Sequence, residues 1–158
     1  MINKDTQIIE LLGRYKLSRE ILNSGLEVAI PERDRGIDLI AYTDFTDKTE
    51  EYISKPIQMK ASTERNFGIW EKYSKFSNLI MVYIWYILDE DKCVTYALTY
   101  KEVLEIAEKM HWTKTSSWKD KGGYITTKPS KKLIKLLEPY MMNSKNSKKW
   151  EDKIKEKS

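Results

Sequence analysis

Apolar residues recur at helical spacing near the start of the chain. The stripe comprises Ile8, Leu12, Tyr15, Ile21 and Leu22. Asp5 or Thr6 suits the N-cap, because a short polar side chain can accept a hydrogen bond from a free N–H of the first turn. Gly25 fits the C-terminal stop. The pattern therefore predicts a helix that runs to about Asn23.

Short apolar segments then alternate with polar turns. Residues 26–30, 37–42 and 56–62 predict three strands, because each is rich in strand-forming residues and bounded by turn residues. Residues 79–88 form a ten-residue apolar run without alternation, which is typical of a strand covered on both faces. Residues 92–99 predict the next strand of a hairpin with it.

Two further helices are predicted later in the chain. Thr99 suits the cap of a helix over residues 100–110, and Ser130 suits the cap of a helix to about Met142. The leucines of the second helix should dock on the sheet. A helix, three strands and then more strands and helices predict an α/β sandwich, with a central mixed β-sheet flanked by helices.

Length and composition indicate one domain. A chain of 158 residues can bury a core, and we expect a single domain over residues 1–142. Residues 143–158 contain little apolar side chain, so this basic tail is expected to be either disordered or an arm that orders on DNA. Cys93 is the only cysteine, which excludes an internal disulfide, and one histidine makes a zinc site improbable.

Membrane insertion and export are not expected. The longest apolar run is too short to cross a bilayer as a helix, and no signal-peptide pattern is present at the start. We therefore expect a cytoplasmic protein.

Charge is distributed unevenly along the chain. Residues 1–100 contain 13 basic and 16 acidic residues, a net charge of −3, whereas residues 101–158 contain 15 and 8, a net charge of +7. A positive field of this kind is typical of phosphate binding, although a basic end can also be only solvated.

Residues 111–124 carry lysines, hydroxyls and aromatic residues, and we interpret them as a glycine-ended loop. Its two tryptophans are expected to pack on the core. Its lysines are expected to contact the DNA backbone, because phosphate contacts position a protein on a duplex. They are Lys114, Lys119 and Lys121.

Polar side chains interrupt two neighbouring predicted strands. Asp38 follows a glycine in an otherwise apolar segment, and Gln58 and Lys60 share one face of the next strand, because alternate residues point to the same face. A carboxylate, an amide and an ammonium group would then meet at one place. The alternative is that these are surface groups that never meet.

This set of groups suits phosphodiester hydrolysis. Asp38 can bind Mg²⁺, and the Gln58 carbonyl can be a further, neutral oxygen ligand. Lys60 can orient or help to deprotonate the attacking water and offset the charge that grows on the phosphate.

The sequence Gly36-Ile37-Asp38-Leu39-Ile40, followed after a connection by Ile57-Gln58-Met59-Lys60, resembles the core of the PD-(D/E)xK nuclease superfamily. The preceding helix and strand resemble it too, so the similarity covers roughly residues 8–88. Two positions depart from the family pattern. Gln58 replaces the acid of the (D/E)xK element, as in the intron-encoded homing endonucleases and related branches, and Ile37 replaces the proline.

The resemblance implies a restriction-endonuclease-like fold and a Mg²⁺- or Mn²⁺-dependent endonuclease that acts on double-stranded DNA as a homodimer. In this family the first helix often adds a glutamate to the metal site. Glu10 is the nearest glutamate on that helix face, so the resemblance implies it as an additional acid. An exposed glutamate favoured by the helix dipole is the alternative for Glu10.

A second class of function is also compatible with the residues. Gln58 in place of an acid removes a negative charge from the metal site and weakens its affinity for a cation. The same fold could therefore serve as a DNA-binding or partner-binding module that has lost cleavage.

Overall fold

The first helix stands where the sequence predicts it. The computed structural model describes residues 5–44, 46, 51–142 and 148–157. Helix α1 spans Thr6–Asn23, and its N-cap Asp5 accepts a hydrogen bond from the backbone N–H of Gln7 at 2.9 Å. Gly25 follows with φ +87°, a left-handed conformation that glycine adopts without steric cost, and it turns the chain into the first strand.

Strands in the described residues form two sheets. They are β1 Leu26–Ala29, β2 Leu39–Thr43, β3 Ser54–Ala61, β4 Phe67–Trp70, β5 Ile80–Trp85, β6 Val94–Thr99 and β7 Gly123–Thr126. The central sheet has the order β1-β2-β3-β5-β6, in which β3 and β5 are parallel and the other neighbours are antiparallel. Strands β4 and β7 pair as a separate antiparallel ribbon. The predicted mixed α/β sheet is therefore confirmed.

The remaining helices are α2 Tyr100–Lys109, α3 Ser116–Lys121, α4 Lys131–Leu137 and α5 Lys148–Lys155. Short 3-10 turns cover Glu71–Tyr73, Trp112–Lys114 and Glu138–Tyr140. Thr99 caps α2 reciprocally: its hydroxyl accepts from the N–H of Glu102, and the Glu102 carboxylate accepts from the N–H of Thr99. Both predicted caps, at Thr99 and Ser130, are confirmed.

The sheet separates two hydrophobic clusters. One face packs against α1 and α5 through residues such as Leu17, Ile57 and Val82. The other packs against α2, α4 and the β4–β7 ribbon through residues such as Tyr83 and Val103. Every residue of β5 is buried, which confirms the prediction from its unbroken apolar run.

The stretch predicted as a loop at residues 111–124 is ordered differently. It contains a 3-10 turn, helix α3 and the start of β7, so the loop prediction is wrong there. The pairing of β7 was missed because β7 has only four residues and pairs with an equally short, distant strand, Phe67–Trp70. Trp112 is buried as expected, and its ring stacks on Tyr124 with centroids 4.6 Å apart.

Residues 148–155 of the basic C-terminal tail, for which the sequence left open disorder or ordering on DNA, form helix α5. Trp150 and Ile154 are 2% and 0% exposed and pack into the cluster beneath α1. The buried Lys55 ammonium donates to the backbone carbonyls of Lys153 and Glu156 near the helix end. The other tail residues, 143–147 and 158, lie outside the described part. No helix in the described residues is long and apolar enough to cross a membrane.

Candidate active site

Asp38 lies directly before β2 and is fixed to β3 by its backbone and its side chain. Its N–H donates to the carbonyl of Ile57 at 2.9 Å. Its Oδ2 accepts from the N–H of Met59 at 2.6 Å and from Nε2 of Gln58 at 3.3 Å. Asp38 is 5% exposed, so this carboxylate is buried and its position is set by strand pairing.

Burial raises the pKa of the Asp38 carboxyl, because the charged form loses hydration. The hydrogen bond from Met59 opposes this effect, the neighbouring carboxylates of Asp34 and Glu10 add to it, and Arg14 opposes it weakly. The net shift is upward. A cation at this site would therefore compete with a proton for Asp38.

Three carboxylates converge beside this strand pair. Glu10, Asp34 and Asp38 each offer an oxygen, and the three oxygens lie within 4.8 Å of one another. The predicted Glu10 thus reaches Asp38, whereas Asp34 was missed. Its signal was the Arg33-Asp34-Arg35-Gly36 turn, in which Gly36 has φ +93° and donates its N–H to Asp34 Oδ1 at 3.3 Å.

Close packing of α1 on β3 brings Glu10 to the site. A Cβ atom added to Gly13 would lie 2.6 Å from the Cβ of Ala61, so only glycine allows this approach. Glu10 also forms an ion pair with Arg14 at 3.5 Å. The helix therefore presents Glu10, from its second turn, beside β3.

Gln58 is the buried amide of the site. It is 7% exposed, its Nε2 donates to Asp38, and its Oε1 has no hydrogen-bond partner in the described residues. A buried carbonyl oxygen without a donor is costly and uncommon in folded proteins. The unpartnered oxygen beside three carboxylates marks a place that can accept a cation or a donor.

Lys60 lies on the same strand face as Gln58, as the alternation predicted, and its side chain is exposed. Its ammonium nitrogen stands 5.4 Å from the centroid of the Trp70 ring. Trp70 was missed because the short strand β4 was not predicted.

The four predicted catalytic residues line one cleft of about 630 Å³. Glu10, Asp38, Gln58 and Lys60 all face it, together with Arg65, which follows β3 in the chain. The cleft therefore joins a carboxylate cluster to two basic side chains. The structure does not bring the three predicted DNA-contacting lysines into this cleft. Lys114, Lys119 and Lys121 are exposed in the 3-10 turn and α3.

Comparison of the chain with protein-family models, with curated proteins and with solved structures finds no match.

Proposed function

We propose that the protein is a metal-dependent endonuclease that hydrolyses phosphodiester bonds in double-stranded DNA, on a restriction-endonuclease-like fold of the PD-(D/E)xK type. The observation that carries the proposal is the buried, unpartnered Oε1 of Gln58 next to Asp38. Three carboxylates on one side and Lys60 in the same cleft supply the other groups that such a reaction needs.

The residues present fit Mg²⁺ or Mn²⁺. Hard cations of this size take oxygen ligands and use few protein carboxylates, and the donors here are all oxygen. Asp38 and Gln58 would hold the ion, with Glu10 and Asp34 available beside them. The unpartnered Oε1 of Gln58 is the amide atom that would face the ion, while Nε2 keeps its hydrogen bond to Asp38 Oδ2. The ion would polarise the phosphate and favour ionisation of a water molecule.

Lys60 would act on the phosphate and the nucleophile. Its exposed ammonium can orient the attacking water and offset the charge that develops on the phosphate oxygens. Asp38, through the ion, and Lys60 would therefore act on the same phosphate group.

The DNA would be bound chiefly by the basic part of the chain. Residues 101–158 carry a net charge of +7. The exposed lysines of the 3-10 turn and α3 would contact phosphates of the DNA backbone beside the β4–β7 ribbon. They are Lys114, Lys119 and Lys121.

A homodimer is part of the proposal, because two sites are needed to cut both strands. The outer face of α1 is suited to a second copy: it exposes Ile8, Leu11, Tyr15 and Leu22. A groove beside Tyr15 is lined by Arg19 and Glu90, and a self-complementary two-fold interface can pair groups of opposite charge of this kind. Sedimentation should give a mass of two chains for the wild type and one for Tyr15→Glu.

The test is cleavage of plasmid DNA with Mg²⁺, with Mn²⁺ and with chelator. Asp38→Ala and Lys60→Ala should each abolish nicking, and Asp38→Asn and Lys60→Met should do the same with less risk to folding. Lys92→Ala, an exposed lysine outside both the cleft and the basic region 101–158, is the matched control and should cut normally. Full activity in a folded Asp38 or Lys60 variant would refute the assignment.

A DNA-binding or partner-binding module without cleavage is the second candidate. The N–H of Met59 and the amide of Gln58 already donate to Asp38 Oδ2, which satisfies this oxygen without a cation. Calorimetry separates the candidates, because the module predicts flat Mg²⁺ and Mn²⁺ titrations with DNA binding intact.

A further inference from the structure

The ring of Trp70 is the group against which the Lys60 ammonium rests. The nitrogen lies 5.4 Å from the ring centroid, within the range at which an aromatic face attracts a cation. In the described part of the chain Lys60 forms no salt bridge. The indole is therefore the contact that restricts a side chain with a long, flexible stem.

Two glycines leave room for the indole of Trp70 against the ribbon. Trp70 pairs with Gly123 across the β4–β7 ribbon, and a Cβ on Gly123 would lie 2.9 Å from Trp70 Cδ1. A Cβ on Gly68 would lie 3.1 Å from Trp70 Cη2. Because both positions lack a side chain, the ring can lie close to the ribbon backbone.

The ribbon is in turn tied to the strand next to Lys60. Tyr83 pairs in register with Lys60 on β5, and its hydroxyl donates to the carbonyl of Gly68 at 2.6 Å. Just after β4, the N–H of Glu71 donates to the carbonyl of Gly122 at 2.7 Å, which adds a hydrogen bond at this end of the ribbon. The indole is thus fixed relative to the same part of the sheet that carries Lys60.

Charge makes an aromatic support useful here. Glu10, Asp34 and Asp38 line the same cleft, and an unrestrained ammonium would be drawn to them. An ion pair between Lys60 and one of these carboxylates would occupy an oxygen that a metal cation needs and would neutralise the charge of Lys60. An aromatic face holds the ammonium and leaves its full charge available to a phosphate.

We propose that Trp70 is a positioning residue that keeps the Lys60 ammonium at the phosphate-binding part of the cleft and away from the carboxylates. This inference rests on the proposed function, in which Lys60 contacts the DNA phosphate. The β4–β7 ribbon thereby takes part in the site through Trp70.

The test is a double-mutant cycle on binding of a short fluorescent DNA duplex by the full chain. It uses Ca²⁺, which takes the same oxygen ligands as Mg²⁺. The variants are Trp70→Leu and Trp70→Phe, each made with Lys60 and with Lys60→Met. Phe76→Leu is the matched control, because it removes a ring 5.7 Å from Lys75 outside the cleft.

With Lys60 present, Trp70→Leu should weaken binding about 5-fold, whereas in the Lys60→Met background it should change binding less than about 2-fold. Trp70→Phe should remain within about 2-fold of the wild type, since the smaller ring still offers an aromatic face. Phe76→Leu should bind like the wild type. In NMR spectra, the Lys60 Cε signal should shift in Trp70→Leu and stay in place in Phe76→Leu.

Equal losses in both Lys60 backgrounds, or an unmoved Lys60 signal, would overturn the positioning role. A wild type that binds no DNA would overturn both this role and the proposed function. Plasmid cleavage separates the remaining cases. If the Trp70 and Lys60 effects on DNA binding are non-additive but the protein does not cleave plasmid, the role of Trp70 is supported and the nuclease proposal is refuted. If the protein cleaves plasmid but the two effects are additive, the nuclease proposal is supported and the role of Trp70 is refuted.

Discussion

The Gln58→Glu substitution tests the electrostatics of the site most directly. It places a fourth carboxyl group in a position that is 7% exposed and 3.3 Å from an oxygen of Asp38. Two full charges at that distance would repel by about 5 kcal/mol at an effective dielectric constant of about 20. Keeping an ordinary glutamic acid protonated at neutral pH costs only about 3.7 kcal/mol. The introduced group should therefore remain protonated in the folded protein without metal.

The loss of stability in Gln58→Glu should depend on pH. The introduced carboxyl has a raised pKa in the folded state, so the folded state keeps a proton that the unfolded state releases. Stability relative to wild type then falls as pH rises above the unfolded pKa. We expect a loss of up to about 3.7 kcal/mol near pH 7 and of about 1 kcal/mol near pH 5.

A divalent cation should reverse the loss if the site binds one. At about 100 times its Kd, Mg²⁺ adds about 2.7 kcal/mol to the stability of the form that binds it. The added carboxylate should also preserve or tighten metal binding, whereas Gln58→Ala should weaken it and slow cleavage. In the wild type and in Gln58→Glu, affinity for the cation should rise with pH, because burial raises the pKa of Asp38 and the Asp38 proton must leave before the cation binds.

The assay is urea unfolding near pH 5 and near pH 7, with and without Mg²⁺, together with calorimetric titration of Mg²⁺ and Mn²⁺. Gln58→Met is the control, because it removes the amide without adding an ionisable group and therefore lacks the pH-dependent loss that an introduced carboxyl causes. A loss in Gln58→Glu that is the same at both pH values would refute the electrostatic reasoning. Flat Mg²⁺ and Mn²⁺ titrations of the wild type, Gln58→Glu and Gln58→Ala would refute the metal site.

Three further predictions concern packing and charge. Gly13→Ala gains about 1 kcal/mol of helix propensity but must relieve a 2.6 Å contact with Ala61, so we expect a net loss of about 1 kcal/mol in urea unfolding that Ala61→Gly reverses. Trp150→Ala should lower the free energy of unfolding by about 3–5 kcal/mol, and a loss below about 0.5 kcal/mol would show that α5 does not pack as described. Replacing three lysines together by alanine should reduce the slope of log affinity for DNA against log salt concentration by about one for each lysine that contacts a phosphate: Lys114, Lys119 and Lys121. An unchanged slope would exclude these lysines from the DNA interface.

The sequence by itself determined the elements whose periodicity and caps are strong. The helix that begins after Asp5, the unbroken apolar strand ending at Trp85 and the helix capped by Thr99 were all predicted within a few residues. Their signals are local: a polar cap, a glycine stop and an apolar pattern each depend on neighbouring residues only. The shared strand face of Gln58 and Lys60 follows in the same way from alternation.

Local signals failed where short elements depend on a distant partner. Strands β4 and β7 have four residues each and are separated by more than fifty positions, so neither could be recognised alone. Helix α5 was predicted as a tail because its composition is mostly charged. Two buried side chains, Trp150 and Ile154, decide its place, and the pocket that receives them is built from other parts of the chain.

The same distinction applies to the site. Asp38, Gln58 and Lys60 were identified because they interrupt apolar strands, and Glu10 because of the resemblance to a nuclease family. Only the tertiary structure brought Asp34 to within 4.8 Å of the other two carboxylates and placed the Trp70 ring beside Lys60. These contacts arise from chain crossings and close backbone approaches, so their physical cause lies in packing between elements and not in the pattern of any one segment.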